Sequence, residues 1–320
     1  MNVNEQTLRE KIDPYLTRQN LSAICSKALG KNVSVNAASI LTGGCLNRVI
    51  GIDLGQSENP VVLKATPAKQ DNGLKHEFEI LQYFSEKTKM PVPSALLFDD
   101  SGHLIPGTFY VMEKIDGVVM HHMSLYENDM KSVISQLANI VTELHKYKST
   151  GFGAAEKSPE QLCQQWSDFW LPRFDQAIDK IAAGGHITVH ILDRVNKIRS
   201  GFKSLLQIGS ESTLTHYDIW SGNIMITNKN GNLNISGFLD IQGYWADYGR
   251  ELSFMEMFGM TNETFYQIYA DIHQLDDMFH VRKDLYNLKM HLKHIHMYPD
   301  QLYYRQGAEQ CLRTVENAIK

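Results

Sequence analysis

The hydrophobic pattern of this chain changes at about residue 116, from short strand-like segments to longer helical ones. Before that point the apolar segments are short, rich in β-branched residues and bounded by Gly, Asn and Pro, which is typical of β-strands. They predict five strands, at residues 33–41, 47–54, 60–67, 92–100 and 107–115. A helix is predicted over residues 73–87, with an apolar face supplied by Phe78, Leu81, Tyr83 and Phe84.

Helical periodicity precedes this sheet-rich part and dominates after it. Helices are predicted at residues 5–30, 132–147, 158–181 and 193–206, with more helices towards residue 320 and a short strand pair at 231–244. Pro14 interrupts the first helix. Ser158 is a plausible cap for the third, with Pro159 at the first helical position. The pattern predicts an α+β chain of two lobes, residues 1–116 and 117–320.

The composition excludes several classes of protein. The chain has 320 residues, 43% of them hydrophobic, a net charge of −5 and a pI of about 6.2, so no basic excess favours nucleic acid or an anionic membrane. Its four cysteines are scattered, which argues against a disulfide framework or a zinc knuckle. The first residues do not resemble a signal peptide, and no window approaches the roughly 18 apolar residues of a membrane span. We therefore expect a cytoplasmic protein.

Two features of the strand-rich part are suited to contact a phosphate. Gly43 and Gly44 lie between the first two predicted strands, where glycine lets backbone N–H groups approach an anion, although a double glycine is also typical of a simple turn. Lys64 ends the third strand, and it can reach an anion across the neighbouring hairpin or point into solvent. Glu77, in the predicted helix, can pair with Lys64 and fix its direction. Glu79 points about 200° away around the helix.

The segment "HYDIWSGNIMI", residues 216–226, carries the most specific pattern in the chain. An Asp that accepts a hydroxyl proton, here Asp218, followed five positions later by an Asn that holds a divalent cation, here Asn223, is the catalytic-loop arrangement of kinase-type phosphoryl transfer. The alternative is an Asx-rich turn. Asp240 ends a later apolar strand, where it can meet Asn223 at one Mg²⁺ or simply form a turn.

Because these features occur together and in this order, the chain resembles the aminoglycoside phosphotransferase-like branch of the protein-kinase-like superfamily. The matching segments span residues 39 to about 258 and include "LTGGCLNRV", "VVLK", "HEFEIL", "FYVMEKIDG", "LHKYKSTGFG", "HYDIWSGNIMI" and "GFLDIQGYWADYGRELS". "WSGN", "WSDFWLPRF" and "LYNLKMHLKHI" are similar to fructosamine kinases in particular. The resemblance implies a bilobal protein-kinase-like fold, with a small antiparallel-sheet lobe holding one inserted helix and a larger helical lobe.

The resemblance also implies a role for each candidate residue. Asp218 is expected to accept the proton of the acceptor hydroxyl, and Asn223 and Asp240 are expected to hold Mg²⁺ against the nucleotide phosphates. The interlobe hinge is expected at residues 112–115, where main-chain groups pair with the adenine edge. The residues expected to bind the nucleotide are Gly43, Gly44, Lys64, Glu77, Glu113 and Ile115.

Three positions depart from the family pattern. Tyr217 replaces the Gly that usually stands between the His and the Asp of the catalytic loop. Ile241 follows the metal-binding Asp in place of Pro or Trp, and Glu251 stands where an Asp commonly precedes Leu-Ala. None of these changes removes a catalytic functional group, so they bear on the substrate more than on the reaction.

The acceptor site is expected on the helical lobe, where carboxylates beside aromatic faces suit a polyhydroxylated or amine-bearing substrate. The residues predicted for it are Trp220, Asp247, Glu251 and Trp166. Core packing explains the tryptophans equally well, and Asp247 can cap a helix. The histidines of "HLKHIH" have a spacing that suits zinc, but no acid or cysteine follows at a matching interval, so we interpret them as surface or core residues.

The sequence thus predicts a small-molecule kinase that uses Mg²⁺ and ATP, or GTP, to phosphorylate a hydroxyl of a sugar, ketosamine, amino alcohol or aminoglycoside-like acceptor. Neither nucleic acid nor a membrane is an expected partner. The alternative is a catalytically inactive nucleotide-binding sensor or scaffold of the same fold, although Lys64, Asp218, Asn223 and Asp240 are all present. A protein kinase would need an activation segment after Asp240, and the chain moves into an apolar helix instead.

Overall fold

The computed structural model describes residues 13–41, 47–56, 58–66, 73–209 and 211–319. The chain divides into two compact units. The N-terminal unit comprises Met1–Gly117 with Ser236–Asp240, and the C-terminal unit comprises Val118–Ile235 with Ile241–Lys320. Within the described ranges, no helix has the length and apolar character needed to cross a membrane.

The N-terminal unit is built on a five-stranded antiparallel sheet with the order β1-β2-β3-β5-β4. Its elements in chain order are α1 (Arg18–Leu29), β1 (Ala37–Ile40), β2 (Arg48–Asp53), β3 (Val61–Thr66), α2 (Leu74–Lys87), β4 (Ala95–Asp99) and β5 (Thr108–Glu113). The central strand β3 is almost wholly buried. The small antiparallel sheet with one inserted helix is therefore confirmed.

The first predicted helix is shorter than expected. A 3-10 turn at Asp13–Tyr15 precedes α1, and residues 1–12 lie outside the described ranges. Thr17 caps the start of α1 by accepting a hydrogen bond from the Asn20 N–H, and Gly30 ends the helix in the left-handed conformation that glycine adopts at low cost. The helix packs its buried residues Leu21, Ile24 and Cys25 against the sheet.

The C-terminal unit is mainly helical and contains two small sheets, as expected for the larger lobe. Its helices are α3 (Glu127–Leu144), α4 (Trp166–Ala183), α5 (Val189–Ile198), α6 (Phe202–Leu205), α7 (Tyr248–Met257), α8 (Glu263–Ala270), α9 (Phe279–Met297) and α10 (Leu302–Ile319). Its strands are β6 (Val118–Val119), β7 (Lys148–Ser149), β8 (Gly153–Ala154), β9 (Ser212–Thr215), β10 (Ile224–Lys229), β11 (Asn232–Phe238) and β12 (Tyr244–Ala246), of which β11 passes into the N-terminal unit at Ser236.

The strand pair predicted at residues 231–244 is wrong in its pairing. β11 lies beside β10 in one sheet, while β12 pairs with β9 and β8 in the other. The reason is the two-residue turn between β10 and β11, where Asn230 and Gly231 have φ values of 55° and 85°. Positive φ at both central residues, with the sequence Asn-Gly, is the preferred geometry of a tight hairpin.

The helix predicted at residues 158–181 is also wrong at its start. Ser158 caps only a 3-10 turn, Pro159–Gln161, and α4 begins at Trp166. Between them the backbone of Cys163 exchanges two hydrogen bonds with that of Phe152, at 2.8 and 2.9 Å. This bridge needs an extended chain at Cys163, so a continuous helix is excluded there.

A buried polar network holds α4, α7 and α9 in register. Asp247 caps α7 by accepting from the Gly249 N–H at 2.9 Å. Its Oδ2 atom also accepts from Arg282 Nε at 2.9 Å and from the Tyr286 hydroxyl at 2.6 Å. The Tyr286 hydroxyl in turn accepts from Trp166 Nε1 at 2.7 Å. The polar atoms that these large side chains bury are therefore paired with one another.

We expect Arg282→Ala to lower the free energy of unfolding by about 3–5 kcal/mol, because it leaves the Asp247 carboxylate buried without its cation. Arg199→Ala is a matched control, because Arg199 pairs with Asp175 near the surface, where an ion pair contributes less than about 1 kcal/mol. Urea denaturation of both variants measures the difference. Equal losses in the two variants would contradict this account of the network.

Candidate active site

Lys64 is directed towards α2 by the alternation of side chains along β3. Its neighbours Leu63 and Ala65 are fully buried on the face that packs against α1. Lys64 therefore lies on the opposite face. There its Nζ atom contacts Glu77 Oε2, in the first turn of α2, at 2.6 Å.

Two further groups complete the surroundings of the Lys64 ammonium. Asp240 Oδ1 lies 3.5 Å from Nζ, and the Tyr110 hydroxyl donates to Glu77 Oε2 at 3.4 Å. Burial acts to lower the pKa of Lys64, but Tyr110, Asp240 and Glu77 together outweigh it, so the pKa is raised above its usual value. The ammonium is thus a permanent cation, suited to contact the phosphates of a nucleotide.

The other residues predicted to bind the nucleotide are placed less specifically. Glu113 ends β5, where its N–H donates to the Ser94 carbonyl at 3.0 Å and its carboxylate accepts from the Ser94 hydroxyl at 2.9 Å. Ile115 is half-buried in the segment that follows. Gly43 and Gly44 lie outside the described residues.

In the C-terminal unit, the catalytic loop is held by hydrogen bonds within the loop. His216 follows β9, is fully buried, and accepts through Nδ1 from the Asp218 N–H at 3.2 Å. Asn223 Nδ2 donates both to the Asp218 carbonyl and to Asp218 Oδ2, each at 2.9 Å. Because both bonds use the amide nitrogen, the amide oxygen of Asn223 is the atom suited to bind a cation.

The structure thus gathers the predicted residues into two groups. Lys64, Glu77 and Asp240 come together in the N-terminal unit, and Asp218 and Asn223 come together in the C-terminal unit. Asp240 has a φ of 51°, in the left-handed region that Asp tolerates better than most residues, and its side chain is 58% exposed.

Tyr217 adopts a backbone conformation that favours glycine. Its φ is 76°, so the Gly that usually stands here in the family would fit without strain. The Tyr217 N–H donates to Glu251 Oε1 at 2.6 Å, and Glu251 Oε2 bonds to His145 Nε2 at 2.8 Å. Glu251 is fully buried, so we assign it a role in positioning the loop instead of the predicted contact with the acceptor.

Two other residues predicted for the acceptor site are also buried. Trp166 is 1% exposed and Asp247 is 2% exposed, and the polar atoms of both take part in the network with Tyr286. A substrate cannot reach these side chains without disrupting the core. The structure therefore favours the packing and capping alternatives for Trp166 and Asp247.

Trp220 is the predicted acceptor residue that lines an open cleft. The cleft has a volume of about 610 Å³, and Asp218 lines it as well. The ring of Trp220 contacts those of His121 and Phe258, with centroid separations of 5.5 and 6.2 Å. It also covers Gly222 so closely that a Cβ atom there would lie 2.3 Å from the ring. This position therefore needs glycine.

Most of the cleft wall is not among the residues predicted from the sequence. His294, Tyr298 and Tyr304 line it, and the ring of His294 stacks on that of Tyr304 at 4.7 Å. Burial lowers the pKa of His294, so its imidazole is neutral near pH 7 and adds no charge beside Asp218. The sequence shows the aromatic residues of "LKHIH" and "YPDQLYYR". That these residues line one cleft depends on how α9 packs against α10, which local sequence patterns do not reveal.

Comparison with known proteins identifies the family. The sequence model of the fructosamine kinase family matches residues 17–318. A probable ketoamine kinase from Synechocystis is 25% identical over 302 residues, which cover 92% of this chain and 97% of that one. A probable ketoamine kinase from Vibrio parahaemolyticus is 28% identical over 141 residues, covering 44% of this chain and 46% of that one.

Solved structures support the same fold. The structure of an inferred fructosamine-3-kinase from Haemophilus somnus superposes with a TM-score of 0.72, at 16% identity, over 93% of this chain and 97% of that one. A thermostable mutant of aminoglycoside phosphotransferase APH(4)-Ia, in complex with ADP and hygromycin B, superposes with a TM-score of 0.64, at 15% identity, over 92% and 98% of the two chains. The predicted protein-kinase-like fold is confirmed.

At position 217 we expect glycine to be more stabilising than alanine. Left-handed backbone costs a non-glycine residue about 1–2 kcal/mol, so Tyr217→Gly should retain about 1 kcal/mol more unfolding free energy than Tyr217→Ala. The same pair at Asn139, exposed within α3, is the control and should show the opposite order, because glycine costs about 1 kcal/mol in a helix. If alanine were better at both positions in urea denaturation, the strain assigned to Tyr217 would be wrong.

Proposed function

Because this chain belongs to the fructosamine kinase family, we propose that it uses ATP with Mg²⁺ to phosphorylate a hydroxyl of a ketosamine, a sugar that carries an amine. Family membership makes it a phosphotransferase that acts on a hydroxyl group of a small molecule. The proposal depends above all on one observation, which is that the hydrogen-bonded pair Asp218 and Asn223 lies at a cleft with aromatic walls.

Asp218 is the proposed catalytic residue. In the reaction, the acceptor oxygen bonds to the γ-phosphorus while the bond from that phosphorus to the β–γ bridging oxygen breaks, and ADP leaves. The hydroxyl proton passes to the carboxylate of Asp218. The hydrogen bond from Asn223 Nδ2 to Asp218 Oδ2 keeps the carboxylate in a fixed orientation. Both the position of the carboxylate and its basicity therefore contribute to the rate.

The donor atoms fit a hard cation such as Mg²⁺. Asn223 has its amide nitrogen committed to Asp218, which leaves the amide oxygen for a cation, and Asp240 offers a largely exposed carboxylate. We propose that these two residues hold Mg²⁺, which when bound neutralises charge on the phosphates.

The nucleotide is proposed to bind the N-terminal unit. Lys64, held by Glu77, carries the permanent positive charge that the α- and β-phosphates need. Backbone groups at Gly43 and Gly44 are proposed to cover the triphosphate. Main-chain groups of Glu113 and Ile115 are proposed to pair with the adenine edge, by resemblance to the family.

The cleft is proposed to bind the acceptor. Its aromatic walls, including Trp220, Tyr298 and Tyr304, suit the protonated amine of a ketosamine, which aromatic faces attract. The sugar hydroxyls would then lie towards Asp218 at the same cleft. The relatives are named as probable ketoamine kinases, and these names support this class of acceptor over an amino alcohol.

We expect Asp218→Asn to lower kcat by about 10²–10⁴-fold for a ketosamine such as fructosyl-lysine, because it removes the proton acceptor. Asp271→Asn, an exposed carboxylate change elsewhere in the same unit, is the control and should keep wild-type turnover. Acceptor-dependent ADP release measures both. Absence of turnover in the wild type, with ATP still raising its melting temperature, would favour the inactive nucleotide sensor.

Lys64→Met should weaken nucleotide binding on the order of tenfold or more, because a hydrogen bond to a charged group is lost and Glu77 is left without its cation. Lys75→Met is the matched control, because Lys75 lies on α2 and its ammonium is exposed. Titration with a fluorescent ATP analogue in the presence of Mg²⁺ measures the change. Equal affinity in the two variants would contradict the assignment of Lys64.

A further inference from the structure

Four cations lie near one another and near the catalytic loop in the C-terminal unit: Arg173 of α4, Arg250 of α7, and Lys289 and Lys293 of α9. We refer to them as the cation cluster. Burial, followed by the charges of Arg250, Lys293 and Arg173, lowers the pKa of Lys289 to about 7. The other three cations are therefore close enough to repel the charge of Lys289, which is only partly protonated near pH 7 unless an anion binds beside it.

The charge of this cluster is not offset by a direct ion pair within the described ranges. None of the four cations has a salt bridge to a described Asp or Glu, whereas Arg194, Arg199 and Arg282 all do. The nearby Glu251 is committed to His145 and to the Tyr217 N–H. A chain with net charge −5 has no overall excess of bases that would explain this arrangement.

Aromatic faces hold three of the cations in place. The Arg173 guanidinium lies 3.7 Å from the centre of the Phe169 ring, and that of Arg250 lies 4.2 Å from the centre of the Tyr217 ring. Lys289 Nζ lies 5.4 Å from the centre of the Trp170 ring. Such contacts orient a cation without neutralising it, so its charge stays available to a ligand.

Arg250 is an independent observation in favour of an anion site. Arg250 is only 7% exposed, and its Nη1 atom is buried without a hydrogen-bond partner among the described residues. A buried guanidinium without an anion is costly, and native structures rarely leave one. A bound anion among the four cations would offset that cost by attraction even without touching Nη1.

The cation cluster adjoins the cleft proposed for the acceptor. Lys293 lines that cleft, as do Phe254 and Met290, which both contact the Arg250 guanidinium. Tyr217, whose ring lies against the same guanidinium, directly precedes Asp218 in the chain. A ligand of moderate size could therefore contact Asp218 with one end and the cluster with the other.

We propose that the cation cluster binds an oxyanion carried by the acceptor, so that this enzyme prefers a ketosamine bearing a carboxylate or a phosphate. The inference rests on the proposed function for the identity of the acceptor. Arg173 and Lys289, which are more accessible than Arg250, make the direct contacts. Arg250 is more deeply buried and attracts the oxyanion by its charge without direct contact.

Two matched pairs of acceptors distinguish the two sources of the oxyanion. Fructosyl-glycine and its amide differ by one carboxylate, and the fructosamines of phosphoethanolamine and ethanolamine differ by one phosphate. We expect the charged member of at least one pair to bind on the order of tenfold more tightly, by calorimetry, with a similar ratio in kcat/KM. The pair that shows the preference identifies the oxyanion.

Substitutions in the cluster test whether it causes the preference. Arg173→Gln and Lys289→Gln should each reduce the charged-to-neutral ratio at least threefold, while Lys289→Arg should keep most of it. Lys180→Gln, an exposed change on α4, is the control and should keep the full ratio. These changes avoid buried Arg250, so loss of folding does not confuse the result.

The outcomes for the two proposals are separable. Equal affinity within both pairs, or a preference that survives Arg173→Gln and Lys289→Gln, would overturn the oxyanion site even if the neutral acceptors are phosphorylated. Cluster-dependent binding of the charged compounds without phosphorylation of any acceptor would support the oxyanion site and count against the proposed ketosamine kinase.

Discussion

The buried carboxylate of Glu251 is the interaction on which the geometry of the catalytic loop depends. It lies one turn into α7 and joins that helix to His145, at the end of α3, and to the backbone of Tyr217. Asp247, four residues earlier, ties the start of the same helix to α9 and, through Tyr286, to α4. Through these contacts the ten-residue helix α7 fixes the catalytic loop, and with it Asp218, to the core of the unit. Asp218 needs a fixed position more than it needs unusual basicity.

The two groups of functional residues are each stabilised locally. Lys64 obtains its direction from the pleat of β3 and its charge from neighbours in the same unit. Asp218 obtains its orientation from Asn223, on the same turn. Each group is therefore preorganised by its own surroundings. The free energy needed to bring these charged side chains together is supplied once, during folding, and not again in each catalytic cycle.

Periodicity and spacing predicted the sheet, the inserted helix and the helical character of the second half, because these depend on local pattern. The errors have specific causes. The Asn230–Gly231 turn pairs β11 with β10 instead of with β12, and the Phe152–Cys163 bridge delays the start of the expected helix to Trp166. Trp166, Asp247 and Glu251 had the right chemistry for an acceptor site, but burial depends on tertiary packing, which a single sequence does not encode locally. The cleft wall on α9 and α10 was missed for the same reason.

The distribution of tryptophan in the molecule has a spectroscopic consequence. Of the four indoles in the chain, those of Trp166, Trp170 and Trp245 are buried, and that of Trp220 lines the cleft. Solvent or a small molecule entering the cleft contacts the Trp220 ring directly, whereas the other three rings lie in the core. The chain therefore carries an intrinsic optical probe of its own cleft, and no label has to be introduced to use it.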